Sequence, residues 1–144
     1  MPARHARFRP TLLIGLALCA SLAACASRPH TGFRPEFVGA DGAVIYVYRP
    51  RAPLSRRPAE VYLDQRHAGT LGQGEYLPLH VSPGEHHVRV EARASAARRV
   101  EVRPGESAYV QLIVRRMGRG LSLEETDPDA ALGRLADAAR AAQP

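Results

Sequence analysis

Thiols are nearly absent from this chain. Its 144 residues include two cysteines, Cys19 and Cys25, both near the amino end. Beyond them no internal disulfide, cysteine nucleophile or Cys-ligated metal site is possible. Lysine is missing altogether, and all 20 basic residues are Arg, a trait of coding composition rather than of function. No apolar run reaches the roughly 20 residues that a bilayer-spanning helix needs; the main one, residues 11–24, has 14. None of Ser55, Ser82, Ser95, Ser107 and Ser122 sits in a Gly-x-Ser-x-Gly elbow, so no serine triad is legible. A strong charge surplus is lacking too. The formal +6 includes Arg4, Arg7 and Arg9, and from Cys25 onward 17 Arg face 14 acids. With no basic motif rich in aromatics, a nucleic-acid partner is not expected.

What is present begins at the amino end. An acid-free start with three Arg is followed by the 14-residue apolar run and then by polar "ASRPHTGFRPEF". These are the dimensions of a secretory signal rather than of a membrane span. The run closes on "LAAC", Leu22, Ala23, Ala24 and Cys25, which resembles the lipobox of bacterial lipoproteins. That resemblance implies a diacylglyceryl thioether on Cys25, cleavage before it and acylation of the new amine. The small residues let an extended chain enter a peptidase site, and the thiol is the soft nucleophile that alkylation requires. Ala26 stands where Asp would mark retention in the inner membrane, so the expected address is the periplasmic face of the outer membrane. Beyond the covalent lipid no cofactor is expected.

The expected organisation is a signal peptide over residues 1–24, a lipidated flexible tether over 25–40, a β-domain over 41–126, and an amphipathic helix with a tail over 127–144. "AVIYVY" is apolar on both faces, as a strand buried on two sides should be. "EVYLD" and "HAGTL" read as a hairpin across residues 64–66. "EYLPLHV", "HHVRVEAR", "RRVEVR" and "SAYVQLIV" supply further strands, with Val88, Val90, Val100, Val102, Ala108, Val110 and Leu112 inside. "SPGE" and "RPGE", 21 residues apart, read as type II turns between hairpin arms. Asp127 is placed to cap a helix with Pro128 at its first position, and Leu132, Leu135, Ala136 and Ala139 form its apolar stripe. About seven short strands with regular turns predict a mainly β fold: a small antiparallel β-sandwich with a short C-terminal helix.

"AVIYVYRP", "VYLDQRHAGTL", "EYLPLHVSPGEHHVRV" and "AYVQLIV" together resemble the bacterial family catalogued as domain of unknown function 2846, whose members are often lipoproteins. The "PGEH" unit is also similar to PEGA-type surface β-domains. Gln65 departs from the family, which has Gly after Asp64, so the hairpin turn is expected to be built differently. The resemblance carries no catalytic residue.

For chemistry, "RPRAPLSRRP" places Arg49, Arg51, Arg56 and Arg57 on what reads as an exposed, Pro-stiffened loop. Such a loop suits lipid A phosphates, anionic headgroups or an acidic partner, because Arg forks match phosphate geometry. His80 and His86 flank "VSPGE" and are the minimum for a weak metal site, but no Cys or carboxylate completes a set, and no metal is expected. The expectation is a membrane-anchored, non-catalytic binding or assembly module of the cell envelope, its partner an envelope protein or glycan. The alternatives are recognition of glycan or lipopolysaccharide through the 49–57 loop, and more weakly His-dependent metal binding.

Overall fold

The computed structural model describes residues 33–36, 38–51, 56–115 and 120–143. The expected signal peptide, the lipobox-like Leu22, Ala23 and Ala24, and Cys25 lie outside the described residues. Two sheets face each other. One has the strand order β8-β7-β1-β4-β9, the other β3-β2-β5-β6. The strands are β1 (Ala43–Arg49), β2 (Ala59–Leu63), β3 (Arg66–Leu71), β4 (Glu75–Val81), β5 (Gly84–Glu91), β6 (Ser95–Val102), β7 (Ser107–Val114), β8 (Leu121–Glu125) and β9 (Ala139–Arg140); the helix α1 (Pro128–Leu135) precedes β9. The fold is thus the expected mainly β sandwich with a C-terminal helix, with nine described strands. Most pairings are antiparallel, but β1 pairs β7 and β4 pairs β9 in parallel.

β1 is central in its sheet and buried along its whole length, as its two apolar faces require. Ala43, Ile45 and Val47 enter the core between the sheets, where Val61, Leu71, Leu77, Val88, Val90, Val100, Val110 and Leu112 meet them. Val44, Tyr46 and Tyr48 point the other way, into a second core with Tyr76, Tyr109, Ala131, Leu135 and Ala138. Both "PGE" turns differ from the hairpin reading. The first carries the chain from β4 in one sheet to β5 in the other, and the second returns it from β6 to β7. At the second, Gly105 has φ 73° and Glu106 N–H donates to Arg103 O at 3.0 Å, the type II geometry expected. The first departs from the type II expectation: Gly84 has φ 139° and already belongs to β5, so the same Pro-Gly pair serves two corners of different geometry.

Three elements at the outer face of the five-stranded sheet were incompletely legible. The first is α1, which starts as expected: Asp127 Oδ1 accepts from Asp129 N at 3.0 Å, and Pro128 leads the first turn. Its buried face, however, is Ala131 and Leu135, continued by Ala138, while Leu132 stays 36% exposed. The Tyr rings beneath leave room for alanine at two of the three contact points, and the helix turns to match.

The second is the tail. Ala139 N donates to Gly74 O at 2.8 Å, Ala141 N to Tyr76 O at 2.8 Å and the Gln143 side chain to Pro78 O at 2.8 Å. The tail therefore extends along the free edge of β4, where the missing N–H of Pro78 costs no ladder bond. Ala142 O comes so close to β3 that a Cβ at Gly69 would stand 3.0 Å from it.

The third is the supposed tether. Phe33 sits edge-on to Tyr46 and Tyr76, with centroids 5.1 and 5.0 Å away. Glu36 N donates to the Tyr46 hydroxyl at 2.7 Å, and its carboxylate bridges Arg140 at 2.7 Å and His80 at 3.0 Å. Residues 33–36 and 38, expected within a flexible tether, dock on the sheet instead, because Phe33 meets a face of three tyrosines.

Candidate functional site

The side-chain parity of β1 dictates the position of Arg49. Residues 43, 45 and 47 face the inter-sheet core, so Arg49 faces it too, at its rim. Arg49 is 3% exposed, which corrects its placement on the exposed loop. Its Nη1 donates to Arg57 O at 2.7 Å and lies 3.5 Å from Leu71 O, tying one sheet to the other. Burial pulls its pKa below the ordinary value, and Glu75 opposes that pull; a guanidinium keeps its proton regardless. Arg51, Arg56 and Arg57 are exposed, as the loop reading expects.

The chain after β1 and the turn before β4 then build a cleft of about 240 Å³, lined by Tyr48, Arg49, Pro50, Arg51, Arg134 and Asp137 together with Gly74 and Ala138. Gly74 shapes this cleft in two ways. It has φ 68°, and a Cβ there would lie 2.7 Å from Arg51 Nε. Its N–H donates to Arg49 O at 2.8 Å, which fixes the turn against the end of β1. Glu75 Oε2 accepts from Gly72 N at 2.7 Å, so that carboxylate is held by the turn.

On the opposite wall, α1 ends with Arg134 in its last turn, where a cation complements the helix dipole. Arg134 Nη1 donates to Gln111 Oε1, and the Tyr48 hydroxyl stands 3.3 Å from the same oxygen and 3.2 Å from Thr126 Oγ1. Arg51, Arg134 and Asp137 therefore line one cleft beside Arg49, whose own guanidinium points between the sheets; two exposed guanidinium groups against one carboxylate favour an anion with oxygens in a plane or fork.

The structure brings together Arg49 and Arg51 of the four arginines singled out from the sequence. Arg56 and Arg57 belong to the same end of the sandwich without lining the cleft. Arg134 and Asp137 were missed, because a helix read for its apolar stripe gives no reason to look at its last turn. A signal for Arg49 did exist in the strict alternation of β1.

The histidines do not converge. β4, which carries His80, and β5, which carries His86, belong to different sheets. His86 instead pairs with Asp64 Oδ2 through Nδ1 at 2.7 Å and meets Ser82 O through Nε2 at 2.7 Å. Among the described residues no group of three or more His, Cys, Asp or Glu side chains is arranged to hold a metal ion. Nor is any described helix long and apolar enough to cross a membrane. In comparisons with protein-family models and with curated proteins, the chain matches none.

Proposed function

We propose that this chain is a lipoprotein of the bacterial cell envelope, held through lipid on Cys25, whose β-sandwich is a non-catalytic module that binds an anionic group. The lipobox Leu22, Ala23, Ala24 and Cys25 after a signal-like run supports the anchor. The observation that carries the binding role is the cleft with Arg49, Arg51 and Arg134 against the single carboxylate of Asp137. Arg49 is fixed by the fold, while Arg51 and Arg134 are exposed and positioned for a ligand. The outer membrane is the address proposed from Ala26, and the likeness to domain of unknown function 2846 accords with an envelope protein.

Two measurements test this. Cys25→Ser should move the protein from the membrane to the soluble fraction of fractionated cells; continued membrane attachment removes the anchor. The soluble form should bind an organic phosphate such as glycerol phosphate in calorimetric titration, and R51E/R134E should abolish the heat. An unchanged isotherm in the double variant removes the cleft as the site.

A further inference from the structure

We infer that the anionic ligand is the phosphodiester headgroup of the membrane that holds Cys25, and that the cleft end of the sandwich rests against that membrane. This inference rests on the lipid anchor and the anion-binding cleft proposed above. It adds the source of the anion and the orientation of the domain.

The first support is the distribution of charge along the sandwich axis. β1 runs towards the cleft, and the connections at that end are β1–β2, β3–β4, β5–β6, β7–β8 and the exit from α1. The described charged residues there are Arg51, Arg56, Arg57, Arg93 and Arg115 in the connections and Arg134 in the last turn of α1, all exposed, against Asp137 and the strand-end acids Glu75 and Glu91. At the opposite end, the described charged residues in the entry to β1 and in the connections β2–β3, β4–β5 and β6–β7 are Asp41, Asp64 and Glu106 against Arg103. One end is cationic and the other mildly anionic, so an anionic surface orients the domain as well as attracting it.

The second support is the direction of the docked amino-terminal segment. Phe33 packs against Tyr46, Tyr76 and Tyr109. Tyr76 pairs with Tyr48 near the cleft end of β1. Five residues later, Val38 lies against Gly42, ahead of β1 at the acidic end: a Cβ at Gly42 would stand 3.0 Å from Val38 Cγ1. The described residues 33–36 and 38 therefore run antiparallel to β1, with the amino end of this stretch at Phe33 facing the cationic end.

The third is length. Eight peptide links separate Cys25 from Phe33, a reach of at most about 28 Å. A sandwich docked at Phe33 thus stays close to the bilayer and presents its arginines to the headgroups. There Arg51 and Arg134 can each fork onto a phosphodiester, while buried Arg49 ties the end of β1 to the second sheet.

The test uses the chain from residue 25 onward with Cys25→Ser, so that partition reports headgroup affinity without acyl chains. Co-sedimentation is measured with vesicles of phosphatidylcholine alone and of phosphatidylcholine mixed with phosphatidylglycerol. The expected result is partition onto the mixed vesicles only, weakened by salt and reduced about tenfold or more in R51E/R134E. R66E/R103E, at the acidic end, should partition like the parent, and thermal melts establish that both variants are folded. If the protein binds soluble glycerol phosphate through Arg51 and Arg134 but ignores phosphatidylglycerol, the cleft reading stands and the headgroup inference is overturned. If it binds neither, both are overturned. An equal loss in R66E/R103E also overturns the inference, because attraction would then lack a face.

Discussion

Gln65 holds a conformation that its neighbours in the chain do not relieve. Asp64 and Gln65 have φ 47° and 72°, so the β2–β3 turn is the two-residue type with both central residues left-handed. The turn therefore keeps the geometry that Gly would favour, and Gln65 bears the steric cost instead of changing it. Gln65→Gly should stabilise the fold by about 0.5–1 kcal/mol, the relief exceeding the extra freedom given to the unfolded chain; urea unfolding measures it, and a loss of stability would contradict the assignment. Beside it, Asp64 accepts from His87 N at 2.8 Å and pairs with His86, whose two ring nitrogens both face groups that only accept. Two such acceptors require His86 to carry both protons. Burial alone would lower its pKa, but the bonds to Asp64 and Ser82 outweigh burial and raise it above the ordinary 6.5. Asp64 moves down, through the His87 backbone bond first and His86 second. The stability from His86 is therefore complete below its ordinary value and is lost as pH rises through the raised native one. That from Asp64 is lost as pH falls through its own lowered value. Between about pH 6 and about pH 9 the parent should lose on the order of 1 kcal/mol more than His86→Gln, an upper figure given the exposure of Asp64. Parallel pH profiles for parent and variant would refute the charged pair.

At the scale of elements, α1 offers the sharpest contrast. Leu135→Ala should cost about 2–4 kcal/mol, since Leu135 is fully buried against the tyrosine layer. Leu132→Ala should stay within about 0.5 kcal/mol, because Leu132 faces solvent. Similar midpoints for the two in thermal unfolding would put the helix back on the stripe that the sequence suggests. The same helix marks where local pattern stops being informative. Asp127 and Pro128 announce its start through chemistry confined to one turn, as Val88, Val90, Val100 and Val102 announce inward faces through alternation. Which alanines face inward depends on the rings of Tyr46 and Tyr48 on β1 and Tyr109 on β7, many residues away. The second "PGE" corner was legible as a type II turn and the first was not, and neither was legible as a sheet crossing: Gly105 fixes its own dihedrals, whereas the partners of β4 and β5 are chosen by hydrophobic faces elsewhere. β9 and its extension to Gln143 are too short and too alanine-rich to read as a strand, and they pair only because β4 has an open edge. The cleft was half legible. The density of arginine and proline after β1 was visible, while Arg134 came from an element whose docking angle was not.

Over the whole molecule, residues 33–36 and 38 decide how far the sandwich can move from the anchor proposed at Cys25. With Phe33 docked, eight peptide links separate the domain from Cys25; undocked, the free chain extends to Gly42, seventeen links from Cys25. The docking is modular, since Phe33 packs on the outer layer and contributes nothing to the core between the sheets. Phe33→Ala removes three edge-on aromatic contacts, each worth roughly 0.5–1.5 kcal/mol beyond the area buried. What remains to hold the segment is the Glu36 N–H bond to Tyr46, the ion pairs of Glu36 with Arg140 and His80, and the contact of Val38. Those ion pairs are part-exposed and individually weak, so the segment should open while the sandwich stays folded. Glu36 reports on this directly, because its N–H and its carboxylate are both engaged while the segment is docked. A protease that cuts after Glu needs an extended, released substrate, and its rate follows the population of the open form. Cleavage after Glu36 by a Glu-specific protease should therefore accelerate about tenfold or more in Phe33→Ala, while cleavage within the β-domain keeps the parent's rate. Equal cleavage rates at Glu36 in both proteins would mean that Phe33 does not hold the segment, and the short leash proposed between Cys25 and the cleft would go with it.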